Sequence, residues 1–161
     1  MNEHLTTTSE AIGAHMGWEL TVHIQGPRQS ADHVLRRVAA EGIEILAHTC
    51  SGYYGGTKLL IVTVDVDASC ATIRDAGYKC DAKPVIWVAA PCRVGLGAVL
   101  GEKLRAKGIE ILYSYGSWDA WPRAVLVFKT SRDDVAFRVL NATLEKLSVV
   151  PPSPDGFVSA A

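Results

Sequence analysis

The sequence predicts an α+β chain built from two similar βαββαβ units, each an antiparallel sheet with both helices on one face. Three observations predict it. First, Gly42-Ile43-Glu44-Ile45-Leu46 returns as Gly108-Ile109-Glu110-Ile111-Leu112, an offset of 66 residues. Second, the same ungapped offset matches Val22 with Val88, Ala40 with Ala106, Ser51 with Ser117, Leu60 with Leu126, Asp67 with Asp133 and Ala76 with Ala142. It also sets apolar against apolar at Leu20 and Ile86, Val34 and Leu100, Val38 and Leu104, Ile61 and Val127, and Ile73 and Val139. One register held across both halves marks a duplicated unit. Third, period-two and helical spacings alternate in each copy in the order strand, helix, strand, strand, helix, strand, the split βαβ arrangement of ferredoxin-like folds.

The elements follow in order. Leu20, Val22 and Ile24 alternate with Thr21, His23 and Gln25, as in a half-buried first strand. Gly26 and Pro27 break it, and Ala31, Val34, Leu35 and Val38 then recur at helical spacing up to Gly42, a natural C-terminal glycine. Residues 43–49 and 58–64 are two apolar, β-branched runs around the turn-rich segment 51–56, which predicts a hairpin. Asp67 is placed to cap a second helix running through Cys70 and Ile73 to Gly77; in the second copy Ser131 stands three residues before Asp134, a capping-box spacing. A short fourth strand closes each unit, near residues 78–83 and 147–150. The domains are thus expected at 17–83 and 84–150, between disordered tails at 1–16 and 151–161, the latter opening on Pro151-Pro152-Ser153-Pro154.

Composition narrows the function. The chain has 161 residues, 48% hydrophobic and 20% charged, and its 16 Lys and Arg are interspersed with 17 Asp and Glu, a formal net charge of −1. That balance lacks the basic footprint a phosphate backbone attracts, so nucleic acid is not an expected partner. No apolar run nears the roughly 20 residues that span a bilayer, and the polar N-terminus does not read as a signal peptide, so the expectation is a cytoplasmic protein without a membrane partner. Cys50, Cys70, Cys80 and Cys92 include no Cys-x-x-Cys pair. They read as reduced thiols, with neither a metal site nor a cofactor expected.

No constellation of nucleophile, base or paired carboxylates stands out, and the expectation is a non-enzymatic protein with no catalytic residue. His23 and His48 read as surface or core histidines. Asp32-His33 reads as a helix start, where the aspartate suits the dipole. Gly97 and Gly101, four apart on one helix, each cost about 1 kcal/mol against alanine in a helix interior. Close packing is favoured over room for a ligand as their compensation. Tyr113, Tyr115, Trp118 and Trp121 read as cross-strand aromatic pairs or as the lining of a ligand or partner surface. Alternation turns Trp87 away from the helices, and with an apolar set from each third strand this predicts a homodimer or higher oligomer that buries Trp87 between subunits, with the N-terminal segment as a competing cover.

The second copy runs Cys92-Arg93-Val94-Gly95-Leu96, then Leu100 and Leu104, then Lys107-Gly108-Ile109-Glu110-Ile111. Set beside a loop of the type Asp-Arg-Pro-Gly, a Leu-containing helix and a Gly-Ile-x-Ile strand, each unit resembles an ACT domain, the small ligand-sensing module of amino-acid metabolism. The first copy offers Gly26-Pro27-Arg28-Gln29-Ser30, which lacks the loop glycine, and then Gly42-Ile43-Glu44-Ile45. The resemblance implies an amino acid or related small molecule bound at the loop between first strand and first helix. The candidate site residues are therefore Gly26, Pro27, Arg28, Gln29, Ser30, Cys92, Arg93, Val94, Gly95 and Leu96. A helix N-terminus suits a carboxylate because its first N–H groups are unpaired and the dipole is positive there. At Gly95 the alternatives are ligand approach and a tight turn; at the first loop the turn is favoured. The implied protein senses a metabolite and signals by changing an interface, its output carried by a partner protein or another subunit; the alternative is an interaction module that has kept the fold and lost the ligand.

Overall fold

Alternation in the sequence becomes strand, and the helical spacings become helices. A computed structural model describes residues 12–25, 30–117 and 123–149. Their elements are β1 (Gly13–Ile24), α1 (Ala31–Ala40), β2 (Ile45–Tyr53), β3 (Gly56–Thr63), α2 (Val66–Asp75), β4 (Lys79–Pro91), α3 (Leu96–Ala106), β5 (Ile111–Ser117), β6 (Arg123–Thr130) and α4 (Asp133–Val149). They form two units, residues 17–84 and residues 12–16 with 85–149.

In the first unit the strand order is β2-β3-β1-β4. Leu20 lies opposite Ile61 and Val22 opposite Leu59, so these four side chains share one face. With Ile24, Val34, Val38 and Ile73 they form the core between sheet and helices. Full burial is worth about 1.5–3 kcal/mol for each such side chain. Ser30 caps α1 by accepting the His33 N–H at 3.3 Å. Asp65, rather than Asp67, caps α2 by accepting the Ala68 N–H at 3.0 Å; Asp67 stands in the first turn. The hairpin turn is tighter than expected. Gly55 takes it at φ +96°, and a Cβ on Gly56 would stand 2.6 Å from the Ile24 carbonyl oxygen.

The second unit has the strand order β1-β4-β6-β5. Ile86 lies opposite Phe128 and Val88 opposite Leu126. Ile86, Val88 and Phe128 pack on Leu100 and Leu104 of α3 and on Ala136, Leu140 and Leu144 of α4. The strand expected at 147–150 is absent: residues 147–149 continue α4, and residue 150 lies outside the described residues. The cause is one position. Gly77, at φ +86°, ends the second helix of the first copy, whereas the matching residue is Thr143, whose hydroxyl donates back to the Val139 carbonyl at 2.8 Å. Without a C-terminal glycine the helix runs on.

The fourth strand of this unit comes instead from residues 13–16, inside the stretch read as a tail; residues 1–11 and 151–161 lie outside the described residues. Ala14 joins the core, and Asn141 clamps it, accepting the Ala14 N–H at 2.8 Å and donating to its carbonyl at 3.2 Å. His15 stacks on Trp87 with ring centroids 4.2 Å apart. Likewise the two strands expected around residues 83 and 84 are one strand, β4, unbroken over 13 residues. Contacts of His15 with Trp87, Glu19 with Lys83 and His23 with Asp81 descend β4 as β1 ascends, which makes the pair antiparallel.

Trp87 is 7% exposed, and Val62, Val125 and Val127 on the same side of their strands are buried as well. A second copy is therefore not needed to keep Trp87 from water. Among the described residues no helix is long and apolar enough to cross a membrane.

Candidate functional site

The two strand-to-helix loops end differently. Gly26, Pro27, Arg28 and Gln29 lie outside the described residues. Ser30 is described, and its end of α1 is occupied by the protein's own groups. The Tyr78 hydroxyl is 2.8 Å from His33 Nδ1 and accepts the Ser30 N–H at 3.4 Å, while Ser30 caps the first turn. The hydrogen bond with the Ser30 side chain, with Arg36 one turn on, holds the exposed Asp32 carboxyl below the usual aspartate range. Nothing in the sequence alone places Tyr78 here; it sits just after Gly77, where the chain returns from α2.

At α3 no side chain caps the helix. The N-cap is Gly95 at φ +83°, a conformation that other residues adopt only at a cost of about 1–2 kcal/mol. The turn reading of Gly95 is thus met by the backbone alone. Leu96 N–H donates to the Arg93 carbonyl at 3.2 Å and Val99 N–H to the Gly95 carbonyl at 3.0 Å. Gly97 and Ala98 lie between them. Leu96 is buried in the core and Val94 is 58% exposed. Arg93 turns to α4, donating to the Leu147 carbonyl at 3.3 Å, so its cation serves that helix's C-terminal end. Cys92 is half-buried. A crevice of about 30 Å³ beside Arg93 and Leu96 has room for little more than a water.

The larger space lies one turn further on. A depression of about 660 Å³ is walled by Gly97, Ala98 and Gly101 of α3 and by Ile109, Glu110 and Ile111 leading into β5. Glu102 and Arg105 stand at its rim, so both signs of charge meet an apolar wall. The two glycines do not serve packing. A Cβ on Gly97 would meet nothing within 4 Å, and one on Gly101 would touch Ile111 Cδ1 at an ordinary 3.6 Å. Close packing, the favoured expectation for this pair, is therefore corrected.

The remaining candidates stay apart. His23 Nε2 is 3.7 Å from Asp81 Oδ2, beyond a hydrogen bond. His48 is exposed. Tyr113 lies opposite Lys129 and Tyr115 opposite Val127 across the strands; Trp118 and Trp121 lie outside the described residues. Among the described residues no three His, Cys, Asp or Glu side chains gather where they could hold a metal ion.

No protein-family model and no curated protein sequence matches the chain. Solved structures do. Protein BT0572 from Bacteroides thetaiotaomicron superposes with a TM-score of 0.68 at 23% identity, over 81% of this chain and 90% of that one. An aspartokinase with alpha and beta subunits superposes at 0.54 and 16% identity, over 84% and 99%. The ligand-free regulatory subunit of aspartate kinase from Thermus thermophilus gives 0.54 at 14%, over 81% and 95%. Likeness at such identities is likeness of fold: the chain carries two ACT-type, ferredoxin-like units.

Proposed function

We propose that this protein is a regulatory sensor that binds an amino acid or a related zwitterion at the N-terminal end of α3 and signals by changing an interface. One observation carries the reading: the uncapped first turn of α3 opens onto the depression walled by Gly97 and Gly101, glycines that packing does not require. A ligand carboxylate would take the Gly97 and Ala98 N–H groups, which point out of the helix start. Glu102 and Glu110 are within the same depression to meet an ammonium group, and Ile109 and Ile111 to meet a side chain. The regulatory subunit of aspartate kinase among the similar structures supports a regulatory role. On this reading the chain has no chemistry of its own, works in the cytoplasm, and passes its signal to a partner protein or to another copy of itself in a homo-oligomer.

A thermal-shift screen against the twenty amino acids tests it. A ligand at a hundred times its Kd adds about 2.7 kcal/mol of stability. The shift should vanish in Gly97→Leu, which fills the depression. Binding that survives Gly97→Leu refutes the site.

A second reading is favoured by the first unit, where Ser30 and Tyr78 already occupy the start of α1. There the fold would serve contact alone, and a screen without any shift would extend that reading to the whole chain.

A further inference from the structure

The two copies differ at one place in a way that describes a ligand. The offset of 66 residues sets Val34 on Leu100 and Val38 on Leu104, and all four are buried, so α1 and α3 turn matching faces to their sheets. In that register Ala31 matches Gly97, Leu35 matches Gly101, Arg36 matches Glu102 and Ile45 matches Ile111. Ala31 and Leu35 pack on the core of the first unit, as does Ile45 of β2. On α3 the same positions are bare: a Cβ on Gly97 would meet nothing within 4 Å, and one on Gly101 would stand 3.6 Å from Ile111 Cδ1. The polar end differs in the same sense. Ser30 caps α1 with its side-chain oxygen, accepting the His33 N–H at 3.3 Å, whereas no side chain caps α3. The first unit thus carries, in its own chain, an oxygen at the helix start and a branched aliphatic group one turn further on. The second unit lacks both, and the depression of about 660 Å³ lies along the stretch of α3 where they are missing.

Resting on the binding reading above, we infer that the ligand of the second unit is an aliphatic amino acid of the leucine type, whose carboxylate supplies the missing oxygen and whose isobutyl group takes the place that Leu35 fills in the first unit. The spacing fits. Gly97 and Gly101 are four residues apart, a rise of about 6 Å along the helix. A ligand held by its carboxylate at the Gly97 and Ala98 N–H groups therefore needs a side chain of several carbons to reach Ile111. Leucine has one, and glycine and alanine do not. The place ends on Ile111, an apolar side chain that suits methyl groups, and each methylene taken out of water strengthens binding by a factor of about four. The change from Arg36 to Glu102 sets a carboxylate at the rim, where it meets the ligand's ammonium group.

Isothermal titration calorimetry on the full chain tests the inference, with L-leucine, L-alanine, L-lysine and isoamylamine as probes. Leucine should bind at least about tenfold more tightly than alanine, and lysine no better than alanine. Isoamylamine, which is leucine without its carboxylate, should not bind. Gly101→Leu, which writes the residue of the first unit into α3, should abolish leucine binding in a protein whose circular dichroism shows it folded. In the wild type, leucine should also shift the amide resonances of Gly97 and Ala98 and the methyl resonances of Ile111, a readout that needs no variant to fold. Alanine or lysine binding as tightly as leucine, isoamylamine binding as well as leucine, or leucine leaving the Ile111 methyls unmoved would each overturn the inference while amino-acid sensing stands. Binding of none of the twenty amino acids would overturn both.

Discussion

Replacing Gly101 by alanine separates the two explanations of the α3 glycines. The residue lies in the body of α3, where alanine is preferred to glycine by about 0.8–1.0 kcal/mol because the unfolded chain loses less freedom. The new Cβ would rest 3.6 Å from Ile111 Cδ1, an ordinary contact that displaces nothing. The variant should therefore be more stable by up to about 1 kcal/mol. For domains between 60 and 250 residues this is a rise in Tm of about 2–8 °C. Urea unfolding followed by circular dichroism should show the midpoint rising with an unchanged m-value. A lower midpoint would mean that another part of the molecule packs against the bare helix face, and the argument for an open depression would fall with it.

Two further substitutions probe the frame around the site. Gly56→Ala should lower stability by about 1–3 kcal/mol, since its Cβ would stand 2.6 Å from the Ile24 carbonyl and the backbone must move; an unchanged Tm refutes that contact. Asp133 accepts from the Thr130 N–H and hydroxyl and pairs with Lys129 at the start of α4. Burial pushes its carboxyl up, but the bonds from Lys129 and Thr130 outweigh this and hold it below the usual aspartate range. Its stabilising effect is accordingly complete above about pH 4 and fades as the pH falls through the lowered value. The Tm gap between wild type and Asp133→Asn should be widest near neutrality and close in acid, and a gap independent of pH would refute the assignment.

Much of the fold was legible because the duplicated segments carry their structure locally. Leu20, Val22 and Ile24, the Val34 and Val38 pair and Gly42 each name their element and face. The misreadings come where a local signal was missing or where a distant residue decides. Thr143 in place of a glycine lets α4 run past the point where the first copy turns. Residues 13–16 carry no strong alternation and become strand through Asn141, 127 residues from Ala14. At the site, the uncapped glycine of α3 was legible from the Gly95 loop. The depression was not, since it depends on how Gly97 and Gly101 lie against Ile109 and Ile111. Tyr78 was invisible for the same reason, its hydroxyl reaching 48 residues back to Ser30.

The strand at 13–16 also sets a timetable. A ribosome releases these residues before anything they pair with, and adds roughly 5–20 residues each second. Trp87 of β4, on which His15 stacks, follows 72 residues later, a wait of roughly 4–14 s. The first unit, whose described residues run from 17 to 84, completes its chain inside that interval. During it the segment around Ala14 is a strand without a partner, an invitation to pair with the same segment of another nascent chain. Synthesis from closely spaced ribosomes, where such segments emerge side by side, is where misassembly of this protein would begin.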